Sequence, residues 1–242
     1  MAKQPHLLIE SGDIHPTVLL PGDPGRVDRI AAACDESTLV AENREYRVMN
    51  AIYDGTPLSI CSTGIGSPSA AIAVEELTAV GAETLIRVGT TGALQADIDI
   101  GDVIIATAAG KDEGTTLRYE SNTLPAVADY TVLDALVKHA ASASIPVHVG
   151  PVVTDDAYYA ETPAFVEAWE AAGILAVEME AAAVFTLARR KGVAAGAIVT
   201  VDGNLVAGTQ KGETDDDELP EKAADRVGRA IDIALQTTVE LA

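Results

Sequence analysis

The chain has 242 residues, of which 48% are hydrophobic, and a formal net charge of −21. That much apolar sequence supports one sizeable core, so a single domain over 1–242 is expected, while the charge would repel nucleic acid and anionic membranes alike and excludes both as partners. No apolar run reaches the roughly 18 residues a membrane span needs, and the first residues lack a signal-peptide core, so a soluble cytoplasmic protein is expected.

Cys34 and Cys61 are far apart in apolar stretches and match no redox or metal spacing. His6, His15, His139 and His148 show no zinc-ligand pattern, so no metal is expected. Acids spread along the chain and scarce lysine suit a salt-rich cytosol, where a short Debye length removes most of the self-repulsion. An acidic protein from an ordinary cytosol is the plainer reading, and the halophilic one is preferred.

In chain order, apolar β-branched runs alternate with helical patterns, the signature of an α/β fold. Strands are expected at 17–20, 46–53, 58–62, 84–88, 103–108, 147–153 and 197–201. Helices are expected at 24–34, 68–80, 130–141, 163–172, 180–191 and 219–241. Asp23 before Pro24, and Ser67 before Pro68, read as helix caps with proline at the first helical position. The polar stretch 208–222 reads as a loop into the last helix, either a lid or a solvated connector.

Three segments carry chemistry. Pro21-Gly22-Asp23-Pro24-Gly25-Arg26 follows a strand and opens a helix, so free N–H groups, the helix dipole and the Arg26 guanidinium favour an anion. The plain alternative is a βα turn with a surface arginine. Arg87 interrupts the apolar strand 84–88 just before Gly89-Thr90-Thr91-Gly92-Ala93, read as a turn. A buried charge there calls either for a bound anion in the crevice at the strand ends or for a structural carboxylate partner. In Val177-Glu178-Met179-Glu180 two acids stand at a helix start, where they complement the dipole or accept a pair of vicinal hydroxyls such as those of ribose. Gly64-Ile65-Gly66-Ser67-Pro68-Ser69 is an imperfect dinucleotide fingerprint and weak support for a nicotinamide enzyme.

Taken together, PHLLIESGD, LLPGDPGRV, CSTGIGSPS, VEEL, IRVGTTGAL, GDVIIATAA, PAVADY and VEMEAAAVF stand in order along nearly the whole chain. Their sequence resembles the hexameric type of nucleoside phosphorylase, which includes bacterial uridine and purine nucleoside phosphorylases. The resemblance implies a single-domain three-layer sandwich, with a central mixed, partly barrel-like β-sheet flanked by helices. It implies phosphorolysis of a ribonucleoside to a free base and ribose 1-phosphate, with inorganic phosphate as co-substrate and no cofactor. It also implies a homo-oligomer, a hexamer built as a trimer of dimers with sites shared across the dimer interface.

Position by position, the resemblance implies that Gly22, Arg26, Arg87 and Thr90 bind phosphate, joined by Arg44 from a neighbouring subunit. His6 would cross the same interface to the ribose, with Glu180 on its hydroxyls and Met179 packed on the sugar. Thr91, Gly92, Tyr158 and Glu178 would surround the base. Three arginines holding phosphate argue for phosphorolysis over a nucleoside hydrolase or a non-catalytic nucleoside-binding protein.

The pattern departs at the base. The glutamine and arginine that uridine phosphorylases place after the stacking aromatic are missing from Tyr158-Tyr159-Ala160-Glu161-Thr162-Pro163. Asp202 stands one position before the aspartate that protonates the leaving base in purine members; it reads as that acid after a local shift, or as a turn former before Gly203. A carboxylate such as Asp202 or Glu161 suits the paired N–H donors of guanine, so a 6-oxopurine nucleoside, guanosine or inosine, is preferred and uridine is the alternative.

Overall fold

The computed structural model describes residues 3–209 and, from 218 onward, the last helix, with side chains from 226. Strand β1 (Thr17–Leu20), helix α1 (Pro24–Ala32), β2 (Glu36–Asn43), β3 (Tyr46–Tyr53), β4 (Thr56–Cys61), α2 (Ser67–Val80) and β5 (Thr84–Ala93) come first. They are followed by β6 (Val103–Asp112), β7 (Ala126–Val127), α3 (Tyr130–Ala140), β8 (Val147–Asp155), α4 (Pro163–Ala171), β9 (Ala176–Glu178), α5 (Ala181–Lys191), β10 (Ala194–Asn204) and α6 (Glu218–Glu240).

One mixed sheet holds the strands in the order β10-β6-β8-β9-β5-β1-β4-β3-β2, with β7 on β6. Because β10 also pairs with β5, the first five close into a barrel from which the others extend as an open sheet. β1, β4, β5 and β10 run parallel to their neighbours among themselves, so their carboxyl ends lie on one side. The expected three-layer α/β sandwich with a partly barrel-like sheet is what forms.

Side-chain alternation divides the core. Val18, Leu20 and Leu85 pack with α2 and α5, whereas Leu19, Ile86 and Val88 pack with α1, α3 and α6. α5 is buried from Ala181 to Ala188, and its alanines let it lie close under the sheet. By the same alternation Arg87 falls on the α5 side of β5, among apolar neighbours, where its charge needs partners.

Several expectations need correction. Gly89 to Ala93 are not a turn: they continue β5, paired with β10 through Gly92 and Ala93. Ser67 does not cap α2. Gly66 holds that position with φ 91°, and the Ser67 hydroxyl inside the first turn donates to the Met179 carbonyl at 3.2 Å. β2, unforeseen because its residues are mostly exposed and polar, pairs with β3 at the sheet edge. Asp23 does cap α1, accepting from the N–H groups of Gly25 and Arg26. Whether 208–222 closes over anything turns on 210–217, which lie outside the described residues.

Candidate active site

A cavity of about 960 Å³ opens where the carboxyl ends of β1, β4, β5 and β10 meet, the usual ligand position in an α/β sheet. One end is formed by the β1–α1 turn. There Gly22 lies so near the β4–α2 turn that an added Cβ would stand 3.3 Å from the Gly64 carbonyl oxygen. The Thr63 N–H donates to the Pro21 carbonyl at 2.9 Å and ties the two turns together.

Arg26, in the first turn of α1, reaches β5, where Nη1 donates to the Val88 carbonyl at 3.3 Å. Burial, then the nearby Arg87 guanidinium, hold its pKa below the ordinary value, with Asp23 and Asp202 opposing. Two guanidinium groups facing one cavity repel each other, an arrangement that an anion between them relieves.

Arg87 is 3% exposed. Its Nε donates to Glu178 at 2.8 Å, and Nη2 meets Glu180 at 2.5 Å. Burial works against its charge, but Glu180 and Glu178 outweigh that and raise its pKa. Of the two readings of Arg87 made from the sequence, the structural carboxylate partners are present, and the side chain also lines the cavity. Nη1 has no partner among the described residues.

The Glu178 carboxylate is committed inward. It accepts from Arg87, from the Thr154 hydroxyl at 2.5 Å, from Glu180 N–H at 2.9 Å and from Ala181 N–H at 2.9 Å. It thus caps α5 and neutralises the positive end of the helix dipole while holding Arg87. Thr154 extends the link, accepting from Ala182 N–H at 2.9 Å. Glu180 accepts from Gly66 N–H at 2.6 Å on the oxygen that does not face Arg87. Burial and Glu178 push its carboxyl above the usual range and Arg87 opposes them. Each of its oxygens keeps a second lone pair for a hydroxyl donor.

Beyond these, Thr91, Gly92, Val177, Asp155, Tyr158, Tyr159, Glu161 and Leu205 line the rest of the cavity, with Gly92 paired to Val177 and packed against Leu205. Tyr158 packs edge-on against Tyr159, with ring centroids 5.1 Å apart. Glu161 is pushed up to about 7 by partial burial and by Asp155. Asp202 sits in a β-bulge: Val201 pairs with Thr91 and Gly203 with Gly92, so Asp202 is the extra residue.

The structure brings Gly22, Arg26, Arg87, Thr90, Thr91, Gly92, Tyr158, Glu161, Glu178, Met179, Glu180 and Asp202 around one cavity. It does not bring Arg44 or His6 there. Arg44 is exposed at the tip of the β2–β3 hairpin, with φ 56°, and His6 is bound to Glu76 of α2 through Nδ1 at 2.6 Å and through its own N–H. Sequence reading missed Asp155 and Thr154, which carry no local signal and matter only through the sheet, and Glu45 and Ser69, which also line the cavity.

The phosphorylase superfamily model matches residues 16–239. A guanosine phosphorylase of Halorubrum lacusprofundi is 63% identical over 241 residues, covering all of both chains. A uridine phosphorylase of Vibrio fischeri superposes with a TM-score of 0.93 at 37% identity, over 99% of this chain and 97% of that one. A purine nucleoside phosphorylase of Toxoplasma gondii superposes with a TM-score of 0.91 at 31% identity, over 100% and 97%. With the arginine pair and the facing carboxylates, these likenesses establish that the chain belongs to the phosphorylase superfamily.

Proposed function

We propose that this protein is a pentosyltransferase that cleaves a ribonucleoside with inorganic phosphate, releasing the base and ribose 1-phosphate. The observation that carries the reading is the convergence of Arg26 and Arg87 on one cavity with Glu180 beside them. A phosphate oxygen attacks C1′ as the bond to the base nitrogen breaks, and the electron pair of that bond leaves with the base. The phosphate dianion beneath the sugar stabilises the positive charge that develops there.

Gly22, Arg26, Arg87 and Thr90 hold phosphate in this scheme, Glu180 and Met179 hold the ribose, and Thr91, Gly92 and Tyr158 surround the base. Glu178, expected beside the base, acts as a positioning residue for Arg87. Asp202 is the general acid that protonates the departing base. Arg26, Arg87, Glu178 and Glu180 carry no net charge together, so a dianion needs a further cation. Arg44 of a second copy fits that need, and His6 of the same copy reaches the ribose, which makes the working unit at least a dimer and the assembly a hexamer of three dimers. Phosphate is the co-substrate, and no cofactor or metal takes part.

The base is a 6-oxopurine, guanosine or inosine, in keeping with the 63% identical guanosine phosphorylase. Uridine is the second reading, favoured by the likeness to uridine phosphorylases. The test is base release from guanosine, inosine, adenosine, uridine and thymidine in molar salt, with and without phosphate. Phosphate-dependent release is expected, greatest with guanosine; equal release without phosphate would mean hydrolysis.

A further inference from the structure

Glu161 stands apart from the other acids of the cavity. Glu178 is filled by Arg87, Thr154 and backbone donors, each oxygen of Glu180 already has one donor, from Gly66 or Arg87, and Asp155 accepts from Ala157 N–H at 3.2 Å. The Glu161 carboxylate lines the base end, beside Tyr158, and has no hydrogen-bond partner among the described residues. It is also partly withdrawn from water with Asp155 nearby, which leaves its ionised form short of donors.

The lining chemistry is one-sided. Among the described residues around the cavity there is no asparagine, glutamine, histidine or lysine, and the two arginines are engaged with the Val88 carbonyl and with Glu178 and Glu180. The side chains at the base end therefore offer carboxylates and hydroxyls but no amide. Uracil presents an acceptor, one N–H donor and an acceptor, and adenine an amino donor beside a bare ring nitrogen. Hypoxanthine presents one N–H beside a carbonyl. Guanine alone of these sets two N–H donors side by side, at N1 and the 2-amino group, matching the two oxygens of a carboxylate.

We propose that Glu161 is the specificity-determining residue of this site, selecting a 2-amino-6-oxopurine by accepting from both adjacent N–H groups. The inference rests on the phosphorylase reading and narrows it from 6-oxopurines to guanine. A base that leaves one carboxylate oxygen desolvated and unpaired is rejected more strongly than a missing contact alone would cause.

The test compares wild type with Glu161→Gln on guanosine and inosine, both as phosphorolysis and as equilibrium binding without phosphate, which reads base recognition even where turnover is lost. A glutamine offers one acceptor and turns its amide N–H groups against the second donor. Guanosine kcat/KM and affinity are expected to fall about 100-fold, mainly through KM, and inosine about tenfold or less, since its single N–H can still meet the remaining acceptor. The guanosine-to-inosine ratio therefore falls about tenfold, with KM for phosphate unchanged. Loss of guanosine and inosine in equal measure, or of neither, overturns the assignment of Glu161 and leaves the phosphorylase reading intact. Base release independent of phosphate overturns that reading instead, and the binding ratio still decides Glu161.

Discussion

The guanidinium of Arg87 folds back over Gly89, so that a Cβ on the glycine would stand 2.8 Å from both Cζ and Nη2. Two residues apart on one strand, they share a face of the sheet, and the missing side chain makes room for the charged group. Gly89→Ala should push Arg87 off its position between Glu178 and Glu180. Because misplacement by about 1 Å can cost about 100-fold in rate, kcat/KM should fall by about that factor with the fold retained. Steady-state kinetics beside a circular dichroism spectrum check this, and unaltered kinetics would show that Arg87 is held by something else.

Glu178 joins three parts of the molecule: the strand residue Arg87, the hydroxyl of Thr154 and the first N–H groups of α5. Glu178→Ala leaves a buried guanidinium short of one partner and uncaps a buried helix. A loss of about 3–5 kcal/mol is expected, read from the urea midpoint. Catalytic loss should be the same for every nucleoside. A selective loss with one base would instead put this side chain in direct contact with the nucleobase.

Arg44 is exposed at the hairpin tip and does not line the cavity, although its neighbour Glu45 does, whereas Arg87 is buried within it. If sites are completed by a second copy, Arg44→Ala and Arg87→Ala should each be nearly inactive alone. Refolded together at equal amounts, random dimers regain one intact site in each mixed pair, or about a quarter of wild-type activity. No recovery after mixing, with dimers present by light scattering, would rule out sharing through Arg44.

Glu161 carries a pKa of about 7 in the folded protein against 4.5 for an unperturbed carboxyl. The folded state therefore binds this proton more tightly than the unfolded one, and stability drawn from it is complete below about 4.5 and lost as pH rises through 7. Asp155 of β8 is the acid that, after burial, raises this carboxyl; Asp202, Tyr158 and Tyr159 line the same cavity, and Glu167 and Glu170 of α4 line a neighbouring one that Glu161 also borders. Glu161→Gln should raise the melting temperature at pH 8 and have little effect at pH 4.5, as differential scanning fluorimetry at constant salt would read. An equal effect at both would mean that its ionisation is not coupled to folding.

Much of this was legible in the residues themselves. β-branched runs alternating with helical periods marked most strands and helices, because burial of alternate faces imposes those periods locally. Asp23-Pro24 wrote the start of α1, and the glycine-bearing turn with Arg26 marked a segment that lines the cavity, since cap, dipole and guanidinium all lie within one turn. An arginine inside an apolar strand announced that it needed a partner.

Which partner was decided only by tertiary structure. Glu178 and Glu180 meet Arg87 because β9 packs antiparallel on β5, across more than ninety residues of chain, and no local pattern encodes that pairing. Gly89-Thr90-Thr91-Gly92 reads as a turn by composition, yet it is strand because β10 supplies its hydrogen bonds. The bulge that presents Asp202 likewise exists only as a slip between two strands. Local energetics choose caps, turns and periodicity, whereas the register between distant strands sets which charges share a cavity, and here the chemistry depends on that register.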